Sequence, residues 1–284
     1  MRNIEGARFL SRMLEDARFE VLPTPSIEDT VLAHVPLGRT LTVTASPAKG
    51  VEATVSLAER LARDGYRAVP HLAARMVSGR SELAEITSRL NAVGIDTVFV
   101  PGGDQWPPAG DYSCALDLLY DLSTMGNPAM KVGITGYPET HPMISDDLTV
   151  QSMWDKRRHA SHVVSNLTFD PVLVAHWIQR LRARGIDLPI LFGIPGPVER
   201  AKLLAMAGKI GVGDSTRFLA KNRRLLTRLA APGGFTGERF LERCTSTLAR
   251  PGSRVTGLHV YTFNQVAETE AWRRDYLQRL SAVR

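Results

Sequence analysis

VEATVSLAERLARDG (51–65) runs directly into YRAVPHLAA (66–74), and the junction joins two different hydrophobic periods at one glycine. The first stretch places apolar residues at helical spacing and closes on Gly65, the residue type expected just past a helix; the second is a short apolar run of strand length. The unit returns at once as SELAEITSRLNAVG (81–94) and DTVFVPGGD (96–104). Working outward, the other strand candidates are RFEVLP (18–23), RTLTVTAS (39–46), MKVGITGYPE (130–139), HVVSNLTFD (162–170), LPILFGIPG (188–196) and RVTGLHVYTFNQ (254–265). CALDLLYDLSTMG, VLVAHWIQRLRARG and ERAKLLAMAGKIG read as helices between them. Strict alternation predicts a parallel sheet with helical crossovers, and eight cycles of it predict an α/β fold closed into a single (β/α)8 TIM barrel.

A chain of 284 residues accommodates one such barrel, which typically takes about 250, so residues 1–284 are expected to form a single catalytic domain. The surplus lies largely between the seventh and eighth strands. There about sixty residues, including DSTRFLAKNRRLLTRLAA and GERFLERCTSTLAR, add helices that either shape a ligand site or cover the outside of the barrel. No stretch approaches the run of about 20 apolar residues that crosses a bilayer, and the start, MRNIEGARFLSRMLED, has no apolar signal core. A soluble, cytoplasmic protein without a membrane partner is expected. Cys114 and Cys244 are too few and too far apart for a disulfide framework or a structural zinc site, and are expected as reduced, half-buried thiols. The net charge of +6 and a pI near 9.6 admit nucleic acid, an anionic surface or polyanionic small molecules. With 7% aromatic residues and no basic stripe interleaved with them, nucleic acid is set aside.

Ligand sites of such barrels lie at the carboxyl ends of the strands, and polar residues concentrate there. They are Glu20 in the first strand, Thr44 in the second, His71 in the third, Asp104 after Gly102 and Gly103 in the fourth, Tyr137 and Glu139 in the fifth, Asn166 in the sixth and Tyr261 in the eighth. Flanked by Phe19 and Val21, the Glu20 carboxyl is expected to be desolvated and its proton affinity raised, which makes it a general-acid candidate. A structural ion pair with a basic residue on a neighbouring strand is the alternative. His71 also reads as a core histidine holding a backbone carbonyl, and Asp104 as a turn-former. As a set, polar groups sent from seven strands to one end are hard to explain by core packing.

Other chemistries find no support. The seven histidines are scattered and no HExxH or CxxC spacing occurs, so no metal site is expected. There is no Gly-x-Ser-x-Gly elbow, and GITGYPE lacks the spacing of a phosphate-binding loop. GKIGVGDS (208–215) follows a helix rather than a strand, which removes the dinucleotide-fold reading.

With RFEVLP, VPHLAAR, GGD, GYPETHP (136–142), SNLTFD, GIPGPV and HVYTFN in this order, the chain resembles the 5,10-methylenetetrahydrofolate reductase family in its short bacterial form, from about residue 18 to 280. The resemblance implies an oxidoreductase that interconverts 5,10-methylene- and 5-methyltetrahydrofolate with NADH or NADPH, in one-carbon and methionine metabolism. It further implies hydride passage through bound FAD, or directly from NADH in divergent members, tetrahydrofolate derivatives as partners, and a homo-oligomer. On this resemblance Glu20 protonates the folate nitrogen bearing the benzoyl group, and Asp104 favours the resulting cation. Thr44, His71, Tyr137 and His141 fall on flavin-contacting positions. Asn166 stands where a pterin-reading Gln is usual, and Arg200 and Tyr261 are further substrate-binding candidates.

Gly102-Gly103-Asp104 departs from the Arg-Gly-Asp of flavin-dependent members and removes a cation from beside the flavin. The departure keeps open a folate- or pterin-binding relative without redox activity of its own, working with a partner subunit. Lys156, Arg157 and Arg158, with Arg217, Lys221, Arg223 and Arg224, read either as solvated helix faces or as groups at the barrel mouth that neutralise a cofactor pyrophosphate or a folate glutamate tail.

Overall fold

The computed structural model describes residues 4–126, 130–139, 144–197 and 237–283. Its strands are β1 (Arg18–Val21), β2 (Thr40–Val43), β3 (Arg67–Pro70), β4 (Thr97–Phe99), β5 (Lys131–Gly136), β6 (His162–Ser165), β7 (Ile190–Pro195) and β8 (Val255–Tyr261). Helix α1 (Ile4–Glu15) precedes β1. The others alternate with the strands: α2 (Ile27–His34), α3 (Gly50–Arg63), α4 (Arg80–Ala92), α5 (Ala115–Thr124), α6 (Asp146–Lys156), α7 (Pro171–Ala183), α8 (Gly237–Leu248) and α9 (Val266–Ser281). Local signals set several ends. Asp170 accepts a hydrogen bond from the Val172 amide at 2.9 Å and caps α7 ahead of Pro171, while Gly94 and Gly185 take φ of 76° and 79° just past α4 and α7.

Neighbouring strands are all parallel, in the order β3-β2-β1-β8-β7-β6-β5-β4. The two ends of that sheet meet. His71, one residue past β3, bridges to Phe99 at the end of β4, and the Leu72 amide donates to the Phe99 carbonyl at 2.8 Å. The sheet is thereby closed into one (β/α)8 barrel, as the alternation predicts.

Alternation along each strand sorts the side chains. On β1, Phe19 and Val21 join the layer packed against the helices, with Leu14 of α1 and Leu57 and Leu61 of α3, which leaves Arg18 and Glu20 to the barrel interior. Val69, Phe99, Val164 and Leu191 form a separate small apolar cluster from the opposite faces of β3, β4, β6 and β7. At the N-terminal ends of the strands, Arg18 Nη1 donates to His162 Nε2 at 3.2 Å. The interior is thus an apolar plug with polar groups toward both ends.

The structure corrects several expectations. Strands three and six end at Pro70 and Ser165, before the predicted 74 and 170, because the chain leaves the ladder there to build loops. GERFLERCTSTLAR forms α8 as expected, whereas DSTRFLAKNRRLLTRLAA, ERAKLLAMAGKIG and GKIGVGDS lie wholly or largely outside the described residues. The cysteines are free but not half-buried: Cys114 is exposed at the head of α5, and Cys244 is turned into the core beside Leu241 and Leu248 by α8. Lys156, Arg157 and Arg158 stand at the end of α6 that leads into the start of β6, the far end of the barrel from the strand C-termini. Lys156 is buried there and Arg157 lies over the Trp154 ring, so these three do not serve the mouth. Arg217, Lys221, Arg223 and Arg224 lie outside the described residues. Among the described residues, no helix is long and apolar enough to cross a membrane and no group of His, Cys, Asp and Glu could hold a metal ion.

Candidate active site

Glu20 occupies the middle of β1 and pairs in register with Thr42 of β2 and Tyr261 of β8. Its Oε2 accepts a hydrogen bond from Nε2 of His259 at 3.1 Å and lies 3.7 Å from Nε2 of His71. The alternative of an ion-pair partner on a neighbouring strand therefore also finds a candidate, and it is a histidine. Burial pushes the Glu20 carboxyl up, but the hydrogen bond from His259, the charges of His259 and His71, and the Thr44 hydroxyl outweigh it and hold the carboxyl below the usual range. The expected rise in proton affinity is thus corrected. Flanking apolar residues desolvate Glu20 as anticipated, but the imidazoles beside it were not part of that expectation.

His71 is 5% exposed and its ring leans on Phe99 at 4.6 Å. Burial lowers it to about 4, against the pull of Glu20, so it is neutral at physiological pH. Its Nε2 makes no hydrogen bond and holds no backbone carbonyl. Thr44 Oγ1 is likewise buried without a hydrogen bond of standard geometry, close enough to Glu20 to favour its anion.

Two tyrosines extend the cluster. The Tyr261 hydroxyl donates to the Ser165 carbonyl at 3.1 Å, and its ring meets His259 edge-on at 4.7 Å. Burial, with the charge of Glu20 and the nearby Tyr137, raises the Tyr261 phenol well above its ordinary value. Burial also raises Tyr137, opposed by the Thr135 hydroxyl and reinforced by the charge of Asp104. Glu20 therefore acts on Tyr261 and Asp104 on Tyr137, and the two phenols lie close enough for Tyr137 to act on Tyr261.

Of the predicted residues, the structure groups Glu20, Thr44, His71, Asp104, Tyr137 and Tyr261. Asn166 spends its side-chain oxygen on the next amide, Leu167, at 2.8 Å. Glu139 ties the loop after β5 to that after β6 by accepting from the Phe169 amide at 2.6 Å. His141 and Arg200 lie outside the described residues.

Sequence reasoning missed His259 and Asn264. His259 stands two residues from Tyr261 on β8, and period-two alternation puts it on the same face, a signal present in HVYTFN. Asn264, at φ 60°, accepts from the Leu22 amide at 2.7 Å and donates to the Leu22 carbonyl at 3.1 Å and Thr24 Oγ1 at 3.0 Å. With Thr262, whose hydroxyl donates to the Glu20 carbonyl at 2.6 Å, it locks the end of β8 to that of β1.

A flavin implied by the resemblance needs polar contacts at Thr44 and His71 and a cation near Gly102. Among the described residues these conditions are not met. Thr44 Oγ1 and His71 Nε2 are closed off from the surface around Glu20. The cation that does meet the Gly102 segment is Arg75, whose amide donates to the Gly102 carbonyl at 3.0 Å. Its guanidinium is committed elsewhere, donating from Nε to the Ser113 carbonyl at 2.8 Å and lying 5.5 Å from the Trp106 ring. These residues do not fit a resident FAD.

The family model described as methylenetetrahydrofolate reductase matches residues 29–272. Among curated proteins, "Methylenetetrahydrofolate reductase 2" of Saccharomyces cerevisiae is 24% identical over 172 residues, covering 57% of this chain and 27% of that protein. "Methylenetetrahydrofolate reductase (NADH) 1" of Arabidopsis thaliana is 27% identical over 192 residues, covering 60% of this chain and 31% of that one. The chain thus matches about a third of the length of these relatives. Among solved structures, an oxaloacetate acetylhydrolase is 13% identical at a TM-score of 0.48, over 86% of this chain and 95% of the other. A dihydropteroate synthase from Stenotrophomonas maltophilia is 14% identical at a TM-score of 0.45, over 95% of each chain.

Proposed function

Because the chain belongs to the methylenetetrahydrofolate reductase family, we propose that it interconverts 5,10-methylene- and 5-methyltetrahydrofolate, with a nicotinamide dinucleotide exchanging the hydride directly with the folate. Residues 1–284 act as one catalytic barrel in this reading. The observation that carries it is the carboxyl of Glu20 beside the His259 donor, linked to Asp104 through the adjacent Tyr261 and Tyr137.

The methylene carbon bridges two nitrogens and is a poor hydride acceptor until one C–N bond opens. Glu20 gives its proton to the nitrogen bearing the benzoyl group, and that C–N bond breaks with its electron pair left on the nitrogen. The other nitrogen then shares its pair with the carbon to give an iminium cation, which a nearby carboxylate favours. Asp104 supplies that charge. Hydride from the reduced nicotinamide converts the iminium carbon to a methyl group and leaves the oxidised dinucleotide. Run backward, the same site oxidises the methyl group and Glu20 takes up the proton.

NADH absorbance, followed with methylenetetrahydrofolate in the presence and absence of added FAD, tests this. Turnover without FAD is the expected result, and turnover only with FAD would replace direct transfer by a flavin relay. No turnover under either condition would leave a folate-binding barrel without redox activity. Glu20→Gln is expected to abolish turnover while 5-methyltetrahydrofolate still binds; equal loss of binding would make Glu20 structural.

A further inference from the structure

We infer that His259 is the positioning residue of the acid: its Nε2–H clamps Oε2 of Glu20 and leaves the other carboxyl oxygen, Oε1, to meet the folate. The inference rests on the reading of Glu20 as the proton donor given above. His259 is 1% exposed, while Glu20 keeps 13% of its side chain in contact with solvent. Both imidazole contacts fall on Oε2. A carboxyl held by one oxygen has one orientation to offer a substrate, and orientation of the reacting group is a large part of catalysis.

Among the described residues, the groups that surround this pair have the following commitments. From β8, Tyr261 sets its ring edge against His259 but spends its hydroxyl on Ser165. Beyond β3, His71 lies outside hydrogen-bond reach and is neutral. From the end of β2, Thr44 favours the anion without completing a hydrogen bond. Toward the N-terminal ends, His162 is held neutral by burial and by Arg18, and its lone pair accepts from Arg18. Tyr137 acts on Tyr261, and Asp104 acts on Tyr137. His259 is left as the group that donates to the carboxyl with good geometry. Its second nitrogen, Nδ1, is buried without a partner, so Nε2 is the nitrogen through which the ring engages the protein.

Without this donor, the largest of the effects that oppose burial is lost, and burial raises the carboxyl against the weaker pull of His71 and Thr44. The test compares His259→Leu, which removes the donor, with His259→Gln, which returns an N–H near the Nε2 position. Two measurements are made on each folded variant. The first is the infrared C=O band of a protonated carboxyl at neutral pH, assigned to Glu20 by its loss in Glu20→Gln. The second is the pH dependence of kcat and KM for folate reduction. In His259→Leu the band is expected to appear, the alkaline limb to move to higher pH, and kcat to fall roughly tenfold or more with KM little changed. His259→Gln is expected to restore the wild-type limb and to show no band. The same limb and the same band in wild type and both variants would overturn the inference. The infrared measurement needs no turnover, so an inactive wild-type protein would sink the proposed reaction while still testing His259. If His259→Leu does not fold, a His259→Gln protein showing the protonated band would overturn it equally.

Discussion

Oε2 of Glu20 accepts a hydrogen bond from Nε2 of His259 across 3.1 Å, inside a barrel that also holds the apolar cluster of Val69, Phe99, Val164 and Leu191. An isolated buried carboxyl would be pushed toward the neutral acid. Here His259 first, with His71 and Thr44, reverses the sign, and the ligand-free protein keeps a carboxylate. The group proposed to give up a proton is therefore poised, before substrate arrives, to receive one.

That poise predicts opposite pH dependences for the two directions. Methylene reduction needs protonated Glu20, and a lowered carboxyl makes that form scarce at neutral pH, so kcat/KM should rise as pH falls toward the carboxyl's own range. Methyl oxidation needs the carboxylate, which is already present, so its rate should hold steady through neutral pH. Initial rates in both directions across one buffer series check this. Parallel profiles would mean that Glu20 does not carry the proton.

Gly193 makes room for Tyr261. A Cβ there would lie 2.1 Å from the Ser165 carbonyl oxygen and 2.9 Å from Cε2 of Tyr261. The first contact is with backbone and cannot be relieved by a side-chain rotation. Gly193→Ala should therefore cost at least the about 1–3 kcal/mol of ordinary overpacking, measured by urea unfolding, and should raise KM for folate by displacing Tyr261. Unchanged stability and KM would show that the β6–β7 contact yields freely.

Much of this arrangement was legible in the chain itself. Eight alternations of strand and helix determined the barrel, and the barrel rule directed attention to strand ends, where Glu20, His71, Asp104, Tyr137 and Tyr261 do come together. What escaped depends on register and rotamer rather than pattern. His259 reads as one more strand residue until alternation from Tyr261 turns it inward, and only coordinates show that its Nε2 reaches Glu20 rather than a carbonyl. Asn166 sits at a strand end like the others, yet its short side chain closes on its own neighbour's amide, a local preference of Asn that competes with any ligand. The sign of the shift at Glu20 escapes the sequence for the same reason: flanking residues reveal desolvation, but not what lies across the barrel.

Asn264 should prove as important to the site as to the fold. It makes three hydrogen bonds to Leu22 and Thr24 from a left-handed conformation that Asn tolerates better than most residues. Asn264→Ala loses all three bonds and adds backbone strain, a destabilisation of about 2–4 kcal/mol. Asn264→Gly restores the backbone freedom but not the bonds and should recover only part of the loss. Thermal unfolding of the pair separates the two contributions, and equal melting of Gly and Ala variants would assign the whole effect to the hydrogen bonds.

The Arg18–His162 contact at the other end of the barrel predicts an acid limit to stability. Ser161 Oγ donates to the Val132 carbonyl at 3.0 Å, so it accepts from Nδ1 of His162 at 2.9 Å, which fixes the proton on Nδ1 and leaves Nε2 to accept from Arg18. Protonating Nε2 would break that bond and set two cations face to face. Burial first, then the charge of Arg18, lowers His162 from 6.5 to about 3. The unfolded chain therefore binds this proton at a higher pH than the folded one. The resulting stability is fully present above about pH 6.5 and is lost as pH falls from there toward about 3. At full extent the contribution is on the order of 5 kcal/mol. His162→Gln, which keeps a side chain able to accept from Arg18 but does not titrate, should flatten unfolding free energy over this window relative to wild type. His71, lowered to about 4, contributes in the same direction, so the variant should retain a smaller slope rather than none. An unaltered slope in His162→Gln would mean that acid unfolding is governed by other groups.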